Sequence, residues 1–277
     1  MITSPANPRI KLLRKLQNRK ERQASNLFYM EGLRIVTAAV QAASRGRGQV
    51  EYLVWSPELL KSEPARRLVE TQAQAGAAVL EVSADTFRSF ALKDGPQGLA
   101  AVGRQHFDAL PADLATGFWV GLDAVADPGN LGTILRTSDS AGGQGVILLD
   151  QSTDPYDPTA VRASMGALFS QKIVRAGFAE FSAWKEAAGV PVFGASGAAA
   201  SDYHETRYPD PCILLMGSER QGLLKHHIEL CDSLVRIPMV GSSDSLNLAV
   251  ATAILMYEVF NQRRSARAAN PSPEVLP

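Results

Sequence analysis

The sequence has few cysteines and histidines, and it lacks the short motifs of several common kinds of site. Its two cysteines, Cys212 and Cys231, do not form a C-x-x-C pair, so we expect both to be reduced packing residues. None of its four histidines is followed by another four residues later, which disfavours a helical zinc site and predicts that no metal is bound. Neither G-x-G-x-x-G nor G-x-x-x-x-G-K-[ST] occurs, which disfavours a standard nicotinamide enzyme and a P-loop nucleotide site.

Long apolar segments and a net charge are also lacking. No segment approaches the roughly 18 apolar residues of a membrane-spanning helix, and the amino terminus lacks the apolar core of a signal peptide. We therefore expect a cytoplasmic protein with no membrane partner. The 28 basic residues balance 28 acidic ones, yet residues 1–50 contain ten Lys and Arg against two Glu. This basic excess indicates either a surface for a polyanion such as RNA or a solvated helix without a partner.

Much of the basic excess falls in a predicted helix over residues 8–23. Asn7 and Pro8 are typical of the cap and the first position of a helix. Apolar residues recur on one side of this helix, and basic residues recur on another. The candidates for contact with RNA phosphates are Lys11, Arg14, Lys15 and Arg19. A helix that packs on its own domain would show the same pattern.

Alternating strands and helices divide the chain into two α/β domains. Residues 1–106 predict a small α/β domain, and residues 107–115, which include Pro111, are the expected linker. Residues 116–266 predict a second domain in which apolar strands are each followed by a helix, which indicates a parallel sheet covered on both faces. Residues 267–277, with three prolines, predict a flexible tail.

Three segments of the second domain have polar residues between an apolar strand and a helix. In parallel sheets such loops gather beyond the carboxyl ends of the strands, where ligands bind. The segments contain Asp127-Pro-Gly-Asn-Leu-Gly with Arg136, then Gly217-Ser-Glu with Gly222, then Ile237-Pro-Met with Asp244-Ser-Leu-Asn. Ser245 or Asn247 can also cap the final helix, which is the simpler explanation for either residue taken alone.

In this order, the three segments resemble the three motifs of the SpoU (TrmH-like) RNA ribose methyltransferases of the SPOUT superfamily. The stretch with Asn7-Pro8, Phe28 and Glu31-Gly32 resembles, more loosely, the substrate-binding domain that precedes the catalytic domain in many ribosomal RNA members. The resemblance implies an α/β fold whose parallel sheet ends in a carboxyl-terminal trefoil knot, after a smaller L30e-like α/β domain. It also implies a homodimer that transfers a methyl group from S-adenosylmethionine to a ribose 2′-hydroxyl, with ribosomal RNA as the expected substrate.

The resemblance also implies the cofactor site. By position, the residues that would bind S-adenosylmethionine are Met216, Gly217, Ile237, Met239 and Leu246. A glycine lets a ligand approach the backbone, and apolar side chains suit an adenine ring.

The catalytic residues implied by the resemblance are Asn130, Arg136, Glu219, Ser245 and Asn247. The family assigns proton acceptance to the arginine that matches Arg136, but a guanidinium keeps its proton at neutral pH. Arg136 is therefore better suited to bind the phosphate beside the target ribose, and that phosphate could assist in accepting the proton. Asn130 would position Arg136 or the ribose, and Glu219 would order the knot loops or pair with Arg136. Ser245 and Asn247 would contact the cofactor or the target nucleotide.

Several alternatives stay open at this point. Arg162 is a candidate contact with RNA or with a second subunit, or a purely structural residue. Arg220 and Ala249 depart from the glycine and serine that are frequent in the family at these positions. Transfer RNA is the alternative substrate, a base is the alternative methylation target, and a non-catalytic RNA-binding protein of the same fold is the alternative to an enzyme.

Overall fold

The computed structural model describes residues 1–112, 114 and 116–269, without the side chains of residues 267 and 269. Within that part, the strands are β1 (Leu27–Glu31), β2 (Gln49–Trp55), β3 (Val79–Glu81), β4 (Leu99–Arg104), β5 (Phe118–Asp123), β6 (Gly145–Leu149), β7 (Lys172–Ala176), β8 (Val192–Ala195), β9 (Ser201–Asp202), β10 (Cys212–Met216) and β11 (Ser233–Arg236). The helices are α1 (Pro8–Lys15), α2 (Arg19–Ser25), α3 (Leu33–Ser44), α4 (Glu63–Gln74), α5 (Ala84–Arg88), α6 (Pro128–Ser140), α7 (Pro158–Ala163), α8 (Phe178–Ala188), α9 (Lys225–Leu230) and α10 (Leu248–Ala269).

Internal contacts group the chain into two compact units. The first unit consists of Met1–His106 with Asp154–Ser170, and the second consists of Phe107–Thr153 with the chain from Gln171 onward. The predicted domain boundaries at residues 106, 115 and 266 stay predictions. Helix α10 continues to Ala269, and the rest of the predicted tail, residues 270–277, lies outside the described residues. So do positions 113 and 115 of the predicted linker.

The first unit is a small α/β structure, as predicted. Its four strands lie in the order β1-β4-β2-β3. Strand β4 is antiparallel to both β1 and β2, whereas β2 and β3 are parallel. Apolar side chains from α1, α5 and the sheet form one buried cluster, which includes Ile10, Leu13, Leu16, Tyr29, Val54, Phe87, Phe90 and Val102.

The prediction of one continuous helix over residues 8–23 is wrong. The chain forms α1 and α2 instead, separated by residues 16–18. Asn18 provides the physical reason, because its side chain accepts a hydrogen bond from the backbone N–H of Lys20 at 2.9 Å. An asparagine used in this way starts a new helix rather than continuing the previous one.

Arg22 is a buried ion-pair partner and not an exposed cation. Its side chain is 1% exposed, and Nε lies 2.8 Å from Asp154 while Nη2 lies 3.1 Å from Asp157. Nη1 donates to the carbonyl oxygens of Leu16 and Gln17 at 3.0 and 2.8 Å, which lack partners within α1 because that helix has ended. Arg22 therefore links the turn after α1 to the segment that contains Asp154, which lies 132 positions later in the chain.

The second unit is built on a parallel sheet, as predicted. Its strands lie in the order β7-β6-β5-β10-β8-β11-β9, and the registered pairs are parallel. Strands β5, β6 and β10 are buried along their whole length, which is why they have no charged side chain before Asp123 at the end of β5 and do not alternate. The short strand β9 was not predicted. The trefoil knot stays a prediction.

Two expectations from the sequence concern the membrane and the cysteines. In the part of the chain that the structure describes, no helix is long and apolar enough to cross a bilayer. Cys212 and Cys231 are free, as predicted. Burial raises the pKa of each thiol to about 12, so both are protonated at neutral pH and are poor nucleophiles.

Candidate functional site

Loops that follow four adjacent strands of the second unit gather at one edge of the sheet. These loops span residues 124–127 after β5, 196–200 after β8, 217–224 after β10 and 237–247 after β11. Their strands are parallel, so the carboxyl ends share one edge. The last three loops surround a cavity of about 580 Å³, a size typical of small-molecule sites.

The five predicted cofactor residues line this cavity, which the sequence could not guarantee since they come from two separate segments. They are Met216, Gly217, Ile237, Met239 and Leu246. Leu246 and Met239 remain 38% and 41% exposed. Large apolar side chains left open beside backbone polar groups fit an adenine ring. The cavity therefore supports the predicted S-adenosylmethionine site.

Gly217 has a structural role that the sequence did not reveal. A Cβ atom at this position would lie 1.9 Å from the carbonyl carbon of Gly222 and 2.2 Å from the nitrogen of Leu223. Gly222 itself has a φ of +64°, which favours glycine. The chain's own loop thus approaches Gly217 closely, and Gly217 sets the shape of the cavity wall. The approach of a ligand to this backbone stays a prediction.

We expect Gly217→Ala to reduce S-adenosylmethionine affinity and to destabilise the protein by about 1–3 kcal/mol, because the loop must move away from the new methyl group. Gly197→Ala is the matched control, since Gly197 lines the same cavity but a Cβ there would meet no atom within 4 Å. Calorimetric titration of each variant with S-adenosylmethionine, combined with urea unfolding, checks the expectation. Equal affinities and equal unfolding midpoints would contradict it.

Three predicted catalytic residues from three separate segments form one hydrogen-bonded chain. The Asn247 side-chain amide donates to Oδ1 of Asn130 at 3.0 Å. The Asn130 amide in turn donates to Oε1 of Glu219 at 3.1 Å. Because one amide accepts and donates at once, both asparagine orientations are set by the network. This chain connects the first turn of α6 with the loops that follow β10 and β11.

Glu219 also anchors the loop after β5 through the backbone. Its carboxylate accepts hydrogen bonds from the backbone N–H groups of Ala126 and Asp127 at 3.0 and 3.3 Å. Partial burial would raise the pKa of Glu219, but the bonds from Ala126, Asn130 and Asp127 outweigh it and lower the pKa below its ordinary value. Glu219 is therefore an ionised anchor at neutral pH, in agreement with the predicted role of ordering the loops.

Two side chains at this edge of the sheet cap helices. Asn247 caps α10, since its Oδ1 accepts from the backbone N–H of Ala249 at 2.9 Å and of Val250 at 3.3 Å. Asn247 therefore combines capping with the network. Ser245 lines the cavity and makes no hydrogen bond with a described residue. Asp127, which we did not predict as a site residue, caps α6 by accepting from Asn130 N–H at 2.8 Å; the Asp-Pro pair was the available signal.

Arg136 lies on α6 apart from this network. It is exposed, and within the described residues its guanidinium has no hydrogen bond or ion pair. Six helical positions separate it from Asn130, which is about 9 Å along the axis and a different side of the helix. Neither Asn130 nor Glu219 contacts Arg136, so the predicted pairing of Glu219 with Arg136 is not found. The guanidinium is available to an anionic group outside the described chain.

The predicted RNA-binding residues are all exposed and belong to the first unit. They are Lys11, Arg14, Lys15, Arg19 and Arg162. Arg14 donates to the carbonyl oxygen of Pro5, and Lys15 is 3.9 Å from Glu21 at the surface, a solvated pair of little energetic weight. Ser164, two positions after Arg162, is buried and donates to the carbonyl oxygen of Val161, a structural role.

Asp123, Asp150 and His227 offer ligand atoms within 4.8 Å of one another. They come from three separate segments, so the spacing of histidines in the sequence could not reveal this group. Nδ1 of the buried His227 lies 3.5 Å from Oδ2 of Asp123. Burial lowers the pKa of His227 and outweighs the attraction of Asp123, which favours the neutral imidazole. That no metal is bound stays a prediction.

Comparison with known proteins matches both units to families. A model described as the SpoU rRNA Methylase family matches residues 117–257. A model described as the MRM3-like substrate binding domain matches residues 7–101. The two matches follow each other in the order that the sequence predicts.

Relatives of similar length agree with these matches. The chain is 32% identical to the 23S rRNA (guanosine(2553)-2′-O)-methyltransferase RlmP of Bacillus subtilis, over 93% of this chain and 98% of the relative. It is 33% identical to the 23S rRNA (uridine(2479)-2′-O)-methyltransferase of Streptomyces viridochromogenes, over 92% of this chain and 89% of the relative. The crystal structure of an AdoMet-bound rRNA methyltransferase from Sinorhizobium meliloti has a TM-score of 0.84 at 36% identity, over 98% of each chain. The chain therefore belongs to the SpoU rRNA methylase family.

Proposed function

We propose that this protein is an S-adenosylmethionine-dependent methyltransferase that modifies a ribose 2′-hydroxyl of ribosomal RNA. The observation that carries the proposal is the hydrogen-bonded chain of Asn247, Asn130 and Glu219 beside a cavity that fits the cofactor. Both curated relatives named above are 23S rRNA 2′-O-methyltransferases. A non-catalytic RNA-binding protein would need neither this hydrogen-bonded chain nor a cofactor cavity beside it.

The cavity residues bind the cofactor in this proposal. Ile237, Met239 and Leu246 line the cavity and would hold the apolar adenine ring, and the backbone around Gly217 would provide polar contacts. When bound, S-adenosylmethionine supplies a methyl group activated by the adjacent sulfonium. Glu219 and Asn130 hold the loops after β10 and β5 in fixed relation, so that the cavity is preorganised before the cofactor enters.

Arg136 acts on the RNA and not on the cofactor. Its guanidinium remains charged at neutral pH and presents several N–H donors in one plane, a geometry that matches a phosphate. Holding the phosphate beside the target ribose orients the 2′-hydroxyl toward the methyl donor. Such orientation can lower the barrier to reaction by several kcal/mol, on the order of 7–11 kcal/mol in well-oriented cases.

Ribosomal RNA is the proposed substrate because the first unit matches a substrate-binding domain and both curated relatives are named for 23S rRNA. We further propose a homodimer in the cytoplasm. Helix α10 supports the dimer, since Val250 and Tyr257 are 49% and 44% exposed. These positions are seven residues apart and share one side of the helix. Sedimentation of the intact chain tests the dimer.

The function is tested by transfer of tritiated methyl groups from S-adenosylmethionine to separate pools of ribosomal and transfer RNA. The labelled RNA is then digested to nucleosides and analysed by mass spectrometry. We expect a 2′-O-methylated nucleoside in ribosomal RNA. Label in transfer RNA alone would support the alternative substrate, and a methylated base would support the other reaction. Cofactor binding without transfer to either pool would support a non-catalytic binder.

A further inference from the structure

The first unit contains a second cavity, of about 460 Å³, beside the Glu31-Gly32 turn. The end of β1, the start of α3, residues 92–97 and one side of α7 line it. The proposed transfer chemistry makes no use of this cavity. Most of its lining lies in the part of the chain that matches a substrate-binding domain.

Glu31 holds one wall of this cavity in place. Its Oε2 accepts hydrogen bonds from the backbone N–H of Leu92 at 2.8 Å and from the Tyr29 hydroxyl at 3.1 Å. Burial raises the pKa of Tyr29 well above its ordinary value, so the hydroxyl remains a donor. Gly32 continues the turn with a φ of +102°, which other residues rarely adopt. The hydrogen bonds of Glu31 and the backbone conformation of Gly32 therefore fix the shape of this cavity.

The lining combines apolar walls with three cations (Arg34, Lys93 and Arg162), two carboxylates (Glu31 and Asp94) and the Gln97 amide. The apolar walls include Leu33, Leu92, Pro96, Val161 and Met165. Lys93 and Arg162 are exposed and have no hydrogen bond or ion pair with any residue that the structure describes. The Gln97 amide likewise has no hydrogen-bond partner among those residues, whereas Arg34 donates to the carbonyl oxygen of Met165 at 3.1 Å.

This combination suits one unpaired nucleotide. A base has an apolar face and a polar edge, and its phosphate is an anion. Proteins that recognise RNA by sequence commonly place splayed-out bases in such pockets, because paired bases in an A-form helix are inaccessible. The apolar walls match the face of a base, the Gln97 amide matches its edge, and Lys93 with Arg162 matches the phosphate.

We propose that this cavity receives an unpaired nucleotide of the RNA substrate. The proposal rests on the RNA methyltransferase function above and extends it. The first unit would select single-stranded or looped RNA, in addition to the charge attraction that any basic surface provides. Duplex RNA offers the same phosphates without a free base, so it distinguishes a nucleotide pocket from a charged surface.

The test compares the binding of two fluorescent RNAs, a hairpin with an unpaired loop and a blunt duplex of the same stem. Leu33→Trp fills the cavity without changing charge, and a double variant carries Lys93→Gln and Arg162→Gln. We expect each to weaken hairpin binding by about tenfold and to leave duplex binding within about twofold. Arg67→Gln, which removes an exposed arginine of the same unit outside the cavity, should change neither.

Equal losses on hairpin and duplex would overturn the proposal in favour of a charged surface, and unchanged hairpin binding of Leu33→Trp would overturn it outright. Circular dichroism and calorimetric titration with S-adenosylmethionine verify that each variant is folded. Methyl transfer is measured separately on the unmodified protein. Loop-selective binding without methyl transfer would sink the proposed enzymatic function and leave the pocket standing.

Discussion

Arg136→Ala is expected to lower the rate of methyl transfer by at least about a hundredfold, while S-adenosylmethionine affinity stays within about twofold. The reason is geometric. Arg136 is exposed on α6 without a described partner, and it does not line the cofactor cavity. Its loss therefore removes the proposed phosphate contact that would orient the ribose, and it leaves the lining of the cofactor cavity unchanged.

Two further variants sharpen this prediction. Arg136→Lys retains the charge but loses the planar pair of donors, so we expect an intermediate rate. Arg207→Ala is the control, since Arg207 is an exposed arginine of the same unit and also has no described partner. Rates come from tritium incorporation into ribosomal RNA, and affinities come from calorimetry. Turnover of Arg136→Ala at the level of the unmodified protein would refute the assigned role.

Arg22→Met is expected to destabilise the protein by about 3–5 kcal/mol, because it removes the cation that pairs with the buried carboxylate of Asp154. Asp154 is only 2% exposed and lies 2.8 Å from Nε of Arg22. The same change also removes the donors that satisfy the carbonyl oxygens of Leu16 and Gln17. Urea unfolding followed by circular dichroism measures the loss.

The matched control is Arg67→Met. Arg67 pairs with Glu63 at 3.2 Å, but both side chains are mostly exposed, at 75% and 66%, so the expected loss is below about 1 kcal/mol. A second variant adds Asp154→Asn to Arg22→Met and should recover part of the stability, because a neutral amide costs less to bury than a carboxylate. If Arg22→Met and Arg67→Met unfold at the same urea concentration, the ion pair of Arg22 and Asp154 does not stabilise the protein by the expected amount.

Much of the candidate site could be predicted from the sequence, but its connections could not. The family resemblance identified Asn130, Glu219 and Asn247 as a set, and the polar residues after apolar strands of a parallel sheet indicated a ligand-binding edge. Which of them contact each other depends on the tertiary structure, because Asn130 is 89 positions from Glu219 and 117 positions from Asn247 in the chain. The alternatives left open for Glu219 were equal on sequence grounds, and only the observed hydrogen bonds favour the loop anchor.

Gly217 shows the same limit for backbone geometry. A glycine beside a strand predicts a close approach, and the structure has one. The sequence could not reveal that the approaching group is the backbone of Gly222, since a fold-back within a loop leaves no periodic pattern. Arg22 misled in the opposite direction. Its place among basic residues indicated an exposed side chain, whereas it is buried against two carboxylates that lie more than 130 positions away.

The sequence by itself determined the order and type of most elements, the α/β class and the family. The spacing of apolar residues in a short segment indicates whether it is a helix or a strand and which face is buried. This spacing involves only residues that are close together in the chain. Tertiary structure alone decided that β10 lies between β5 and β8, so that the loops after β5, β10 and β11 meet at one edge. It also decided the break between α1 and α2 and the burial of Arg22. These features depend on which distant segments come together, and the free energy of such contacts is a property of the whole fold and not of any window of the chain.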